Sequence, residues 1–514
     1  MSNPYDSPKA CWMALDGRAN AVIRRSERYA SWTQPSLCPP DGFTEQTEMQ
    51  NDYQSVGSEC VNSLSNRLVL NLFAPSRPFM RYDIPPEIAA KLQLDPAVIQ
   101  TQLSKAERDS VKLLDQLSAR PRLFEAIKHL IVIGNVLVIL GKDKATPLRT
   151  VPIKKFRVKR SPSGKLVTLA IKECLKFDEL DKKVQDELLQ TSPTKYQFTP
   201  NNPPDCEWYT EVCLQQDGRY KVRTQVDDAV LVGAGYDAMY TEEDMPYRVL
   251  TWELPDGWHY GVGLVEQHAG DFAAISTMSG AQLQSAIHAS EFRWLVNPAG
   301  ITQPEDMVNS KNGDVVPGSP EDVAAVTAAT AGVASALQAQ DAILSKYVSR
   351  VGRAFLLASA AQRDAERVTA EEIRRDVLEL ETSLGGVYSR LAVDFQKPLA
   401  YWLARMLGVK LSDTGIQPTI ITGLDALSRN SDLENLMRAL QQLLVVSQIV
   451  AGGGPLSVTL STTSIAAAIF AGNGVDANTF VNDPETQQAL MEQEQARQES
   501  LAAAPSRARN QQGA

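Results

Sequence analysis

The chain has 514 residues and 43% hydrophobic content, enough for about three or four units of ordinary domain size with cores of their own, so disorder is not the default reading. Its 61 acidic and 51 basic side chains leave a formal net charge of -10, which weakens the reading of a protein that coats DNA by bulk positive charge while still allowing an acidic wall beside DNA. Cys11, Cys38, Cys60, Cys174, Cys206 and Cys213 form no CxxC pair and read as free thiols of a reducing compartment. Pro4, Asp6 and Pro8 interrupt any secretory signal, and the apolar run Leu130 to Leu140 is about half the roughly 20 residues of a membrane span, so a soluble chain with no membrane partner is expected.

Residues 1 to about 120 read as helices parted by proline-rich breaks at Pro35, Pro39 and Pro40 and again at Pro75, Pro78, Pro85 and Pro86. From Arg122 the apolar positions Phe124, Ile127, Leu130 and Ile131 repeat with helical period. Gly134-Asn135 then stops the helix ahead of a buried, β-branched strand over Val136 to Leu140. Between about 147 and 256 short alternating segments, among them Phe156 to Val158 and Leu166 to Ile171, are cut by turn clusters. They predict a small antiparallel β unit with a helical inset at Asp178 to Leu189.

After Tyr260-Gly261 the pattern predicts a long helix over about 264–289 with Leu264, Phe272, Ile275, Leu283 and Ile287 on one face, or two helices broken at Gly270 or Gly280. Residues 290–320 read as a compact excursion. Asn297-Pro298, Ala299-Gly300 and Pro304 turn the chain, and Asn312-Gly313 between Met307-Val308 and Val315-Val316 predicts a tight hairpin. Ser319, Pro320 and Asp322 then predict the start of a second long helix, small-residue-rich from Ala324 to Ala339 and striped by Leu344, Tyr347, Val351 and Phe355. A third begins at the Thr369/Glu372 capping box. Its apolar stripe from Ile373 to Met406 stays in register across Gly385, Gly386 and Pro398, which predicts a continuous helix bent at those points, with separate helices as the alternative. Shorter helices follow from about 425 to 482, including Leu433 to Val450, and then a Gln-, Glu- and Ala-rich tail.

No phosphate loop, HExxH, GxSxG elbow or metal-spaced Cys/His cluster is present, so no catalytic residue, metal or cofactor is expected. The histidines His129, His259, His268 and His288 form no acid-base constellation. Gly261 and Gly263 are a weak anion-binding signal, and Glu371 and Glu372 suit a helix's first turn better than catalysis. Lys346, Arg350 and Arg353 share one helix face, and Gln362, Arg363, Asp364, Glu366 and Arg367 fill a short polar connection. In one copy these are solvated charges, whereas a cyclic assembly would turn each into a ring of charge around a hole.

Several strings in fixed order carry a resemblance. They are Asn297-Pro-Ala-Gly-Ile-Thr-Gln-Pro304, Gly313-Asp314, Gly318 to Val323, Gln362-Arg363, Glu366 to Arg374, Glu379 to Glu381, Leu384 to Ser389, Pro418-Thr-Ile and Thr422-Gly-Leu. Together they resemble the portal, or head-to-tail connector, family of short-tailed double-stranded-DNA phages, with weaker similarity from about residue 20 to about 440. The resemblance implies an α+β, mainly helical portal fold with wing, stem, clip and crown regions, one subunit of a homododecameric ring at a capsid vertex. It implies a wing over 1–262, stem helices at 263–289 and 321–359 around a clip at 290–320, and a channel loop at 360–368. A bent wing helix and following segment at 369–424, a crown at 425–482 and a tail from 483 complete the map. Lys346, Arg350, Arg353, Gln362, Arg363 and Arg367 would face DNA; Asn297, Pro298, Gly300, Pro304, Asn312 and Gly313 would meet terminase or the tail adaptor. The implied partners are further copies of the chain, double-stranded DNA without sequence preference, the terminase large subunit, the tail adaptor, and the major capsid and scaffolding proteins, with internal core proteins as a further candidate. A passive conduit suits the absence of an ATPase motif; a capsid-associated hydrolase and a neck or tail-tube adaptor are the competing readings.

Overall fold

The computed structural model describes residues 5–44, 46–49, 52–73, 78–83, 96–141, 148–192, 195–196, 203–233, 236–290, 293–326, 333–357, 384, 386–408, 411, 417–420 and 441–442. Nearly all of them lie in a unit spanning residues 1–422; a second unit covers 423–514. The third helix's capping box and its stripe before Leu384, the segment expected as a channel loop, Gly385, Leu433 to Val450 except Gln441 and Gln442, and the tail lie outside the described residues.

Helix α1 (Pro8–Ser31) starts where Ser7 accepts the Ala10 amide and a proline occupies the first turn. Helix α2 (Val56–Leu72), strand β1 (Met80–Asp83) and helix α3 (Pro96–Gln116) follow. Helix α4 (Ala119–Ile133) ends at Gly134, whose φ of 78° gives the left-handed cap, and the chain enters strand β2 (Asn135–Ile139), buried except at its last residue. The β unit contributes β3 (Arg149–Val151), β4 (Phe156–Arg160), β5 (Leu166–Lys176), the inset helix α5 (Lys182–Thr191), β6 (Asp205–Leu214), β7 (Tyr220–Val226), β8 (Ala229–Leu231), β9 (Asp237–Tyr240) and β10 (Tyr247–Thr251).

All pairings are antiparallel. Six strands form one sheet in the order β4-β5-β6-β7-β8, with β9 also on β7, and three form another in the order β10-β2-β3. Helix α1 lies on the larger sheet through Cys11, Trp12 and Leu15 against Ala170 and Tyr209, and Arg157 is held there between the Trp12 ring at 4.3 Å and Asp16 at 2.7 Å. The main core gathers α2, α4, the small sheet and the helical segment near Phe395; a satellite core seats α5 through Val184 and Leu188.

The joint between this body and the next segment is a close crossing of backbones. A Cβ on Gly134 would fall on the backbone of Gly263, and one on Gly263 would meet the Ile131 and Val132 carbonyls at 2.9 Å. Asn135, 1% exposed, donates to the Gly261 carbonyl at 2.8 Å and accepts from the Gly261 amide at 2.7 Å. Gly261 and Gly263 are therefore glycines because another backbone needs the space.

The expected helix over 264–289 divides, although at neither glycine. A one-turn helix α6 (Leu264–Gln267) ends at His268, whose backbone leaves the helical region at φ -107° and ψ 19°, and helix α7 runs Ala269–Ser290. Strand β11 (Arg293–Val296), a short helix α8 (Pro304–Asn309) and strand β12 (Val323–Val326) follow. The expected hairpin at Asn312-Gly313 is corrected: those residues make a turn, with Gly313 at φ 100°, but no strands flank it. Pro304, Glu305 and Asp306 instead favour a helix start, which takes Met307 and Val308 into α8. The second long helix does not begin at Ser319 either. Pro320–Asp322 is a single 3-10 turn and Val323–Val326 pairs with Val296–Arg293, the ladder overriding the helix-start signal. Helix α9 spans Val333–Ala354.

Helix α10 (Gly386–Leu391) runs through a π turn at Ala392–Gln396 directly into helix α11 (Lys397–Met406), so the helical path continues from Gly386 through Pro398. Pro398 has no N–H to give its preceding turn, and the wide turn stands where that bond would be missing. Gln396 and Trp402 fix the segment through hydrogen bonds to the Leu72 carbonyl at 2.6 Å and the Gly141 carbonyl at 2.7 Å. Strand β13 (Gln417–Ile420) returns to pair with β1.

Candidate stem, clip and channel surfaces

Helices α7 and α9 pack antiparallel, because the end of α9 meets the start of α7. Phe355 stacks edge-on against Phe272 with centroids 5.6 Å apart and against His268 at 6.0 Å; both phenylalanines are fully buried. Arg350 closes the pair by a bidentate ion pair to Asp271, its Nε at 2.8 Å, and lies over the Tyr347 ring at 4.7 Å. That bond to Asp271 holds the Arg350 guanidinium above its usual pKa. Of the three cations on this face, Lys346 and Arg353 are exposed and Arg350 is spoken for within the chain. Gln362, Arg363 and Arg367 lie outside the described residues.

Further along, α7 changes character. Phe272 and Ile275 are buried, whereas Leu283 and Ile287 on the same stripe are 51% and 53% exposed. The apolar exposure continues over Trp294, Leu295, Ile301, Val308 and Val315, and Ile343 on α9 is exposed as well. Gly280 has a neighbour in its own chain: a Cβ there would press on the Tyr53 ring at 3.1 Å, while nothing lies within 4 Å of Gly270.

The excursion between β11 and β12 is organised by Asp322. Its carboxylate accepts from the Ile301 amide at 2.8 Å and the Thr302 amide at 3.3 Å, and its carbonyl accepts from the Asn297 amide at 2.8 Å. Asn297 turns the chain by accepting the Ala299 amide on its side chain and the Gly300 amide on its carbonyl, with Pro298 between. Gly300 is required because a Cβ would overlap the Asp322 carboxylate. Pro304 opens α8, and Asn312-Gly313 sits in an exposed turn whose Lys311 amide is capped by Asp314 at 2.6 Å. Sequence reasoning named the turn residues of this tip and missed Asp322 as their organiser; the Gly-Ser-Pro-Glu-Asp string was read as a helix start. Asp271, Phe355 and Asn135 were missed as structural ties for a similar reason, since each acts on a partner roughly 80 or more positions away.

All six cysteines are free, Cys174 alone among them exposed; burial pushes the Cys38 and Cys60 thiols up to about 12. Among the described residues no helix is long and apolar enough to cross a membrane.

A family model described as bacteriophage head to tail connecting protein matches residues 9–480. The chain belongs to that family. It is 32% identical over 508 residues to the portal protein of Enterobacteria phage T3, covering 96% of this chain and 91% of that one. It is 32% identical to the portal protein of Escherichia phage T7, covering 84% and 81%, and 31% identical to that of Pseudomonas phage phiKMV, covering 94% and 95%. A chain from the neck of an empty gene transfer agent particle is 13% identical, covers 82% of this chain and 94% of its own, and has a TM-score of 0.34, too low to decide anything about the fold. Membership makes this chain a structural component of the virion at the connection of head and tail.

Proposed function

We propose that twelve copies of the chain close into a ring at one capsid vertex and that double-stranded DNA passes through its centre during packaging and ejection. The observation that carries the reading is the arm α7-β11-clip-β12-α9, whose apolar residues Leu283, Ile287, Trp294 and Leu295 are each more than half exposed in a single copy. Apolar patches of that kind mark interaction surfaces, and a ring built from head-to-tail contacts covers them with the next copy's different face. In this assignment residues 1–262 form the wing, α7 and α9 the stem, and the 290–320 excursion the clip that docks the terminase large subunit and later the tail adaptor. Residues 360–368 form the channel loop, 369–424 the bent wing helix and following segment, and 425–482 the crown. The ring also nucleates head assembly with capsid and scaffolding proteins.

Lys346, Arg353, Gln362, Arg363 and Arg367 then recur once per subunit around the hole, where phosphate contacts without base contacts suit transient, sequence-independent passage. Arg350 contributes charge to the same wall while holding Asp271. Electron microscopy of the purified protein, with its mass measured in parallel, tests the proposal. A closed ring of roughly 0.7 MDa follows from twelve chains of 56.3 kDa; a stable monomer at every salt concentration refutes it.

A further inference from the structure

A cavity of about 560 Å³ lies between the β unit and the π turn, walled by β4, β10 and the turn before β10 on one side and by residues 390–401 on the other. This size lies within the roughly 300–1,000 Å³ of ordinary small-molecule sites. Five cationic side chains line it: Arg160, Lys165, Arg248, Arg390 and Lys397. Three carboxylates, Glu242, Glu243 and Asp394, line it too, leaving an excess of two positive charges.

The donors are not equally occupied. Arg160 is satisfied by carbonyls, those of His259 at 3.3 Å and of Gly164 and Val249 at 3.0 Å each. Arg248 gives one nitrogen to the Glu242 and Glu243 carbonyls at 2.6 and 2.8 Å, but its Nε is buried without an acceptor, and so is Nη1 of Arg390. Lys165 pairs with Glu242 at 2.9 Å, which removes one cation and one acid from the balance. Desolvation holds the Asp394 carboxyl above the usual range, against the pull of Arg390, Arg160 and Arg248. Burial likewise lowers Arg248 to about 10, so it stays protonated at neutral pH. Arg248 and Arg390 thus each keep a buried guanidinium nitrogen without an acceptor beside a concave site whose lining carries surplus positive charge, and such a nitrogen costs free energy. Tyr247, Tyr401 and Met245 supply apolar wall beyond them.

We propose that this cavity binds a phosphate-bearing small anion, with the phosphate on Arg248 and Arg390 and its organic part against Tyr247 and Tyr401. A phosphate dianion matches the surplus of two charges, its oxygens take the fork geometry of guanidinium groups, and the volume left over fits a nucleoside-sized group. The site depends on residues of the β unit and the π turn and not on the ring, so its success or failure is separate from that of the conduit reading.

The test is calorimetric titration of the full-length protein in chloride buffer with deoxyadenosine 5′-monophosphate, inorganic phosphate, deoxyadenosine and a short DNA duplex. Saturable binding of the monophosphate, with no binding of the nucleoside, supports the proposal, and weakening of at least tenfold in Arg390→Gln locates it. Lys397→Gln, at a partly exposed position, serves as the second variant and should weaken binding severalfold while circular dichroism stays unchanged. Equal affinity for inorganic phosphate keeps the oxyanion site and assigns it to the free ion. No binding of either phosphate, binding unchanged in both variants, or binding of the duplex alone overturns it.

Discussion

Replacing Asn135 with alanine should loosen the crossing where the body before Gly134 meets the chain entering α6 and α7. The side chain is 1% exposed and makes three hydrogen bonds, to the Gly261 amide at 2.7 Å, the Gly261 carbonyl at 2.8 Å and the Ile133 carbonyl at 3.2 Å. Alanine leaves the Gly261 N–H and C=O without those partners in a place where glycines pack backbone on backbone and no group can move in. At about 1–3 kcal/mol for each buried group left unpaired, plus a small void, the loss comes to about 3–5 kcal/mol. Differential scanning calorimetry should then show the melting temperature lower by roughly 6–10 °C, taking roughly 2 °C per kcal/mol for a large chain. Asn135→Asp separates the two bonds: it keeps an acceptor for the amide but sets a carboxylate against the Gly261 carbonyl, so it should be at least as damaging. A drop below about 2 °C for Asn135→Ala would refute the reasoning and return Gly261 to an ordinary solvated loop.

His129 predicts a pH dependence. It is fully enclosed, its Nδ1 has no hydrogen-bond partner, and burial lowers its pKa to about 4 against 6.5 when unfolded. The unfolded chain therefore takes up a proton first, and stability present above pH 6.5 is lost as the pH falls toward 4, by roughly 3 kcal/mol at 1.36 kcal/mol per unit. Denaturant titrations across that window should show it, and His129→Leu should flatten the profile. Phe355→Ala empties a fully buried ring site between α7 and α9 and should cost about 3–5 kcal/mol in the same titrations; Asp271→Asn, an exposed ion pair's partner, should cost less than about 1 kcal/mol. Gly300→Val should disorder the tip by forcing the Asp322 carboxylate away from the Ile301 and Thr302 amides, which limited proteolysis of residues 297–322 would reveal. If Arg363 and Arg367 touch DNA as proposed, alanine at both should impair packaging or retention of DNA without altering ring formation; unchanged packaging would refute that contact.

Periodicity alone located most of what is local. The helix ending at Gly134, the strand after it, the antiparallel β unit with its helical inset and the helical run through Pro398 all depend on repeats of two or of three to four residues within one segment, and these are readable without knowing the partner. The family was legible for a related reason, since its short strings recur in fixed order along the chain. What the sequence could not determine depends on distant partners. Val323–Val326 follows a strong helix-start signal, yet it becomes a strand because Arg293–Val296 stands beside it with edges to pair. Gly280 offered a place to break the helix, whereas the helix runs through it and the Tyr53 ring, from far back in the chain, packs beside it. Arg350 looked like a free cation on a helix face until the antiparallel packing of α7 and α9 brought Asp271 within reach. Local propensity is worth tenths of a kcal/mol per residue, and a ladder or a buried ring contributed from elsewhere in the chain is large enough to decide against it.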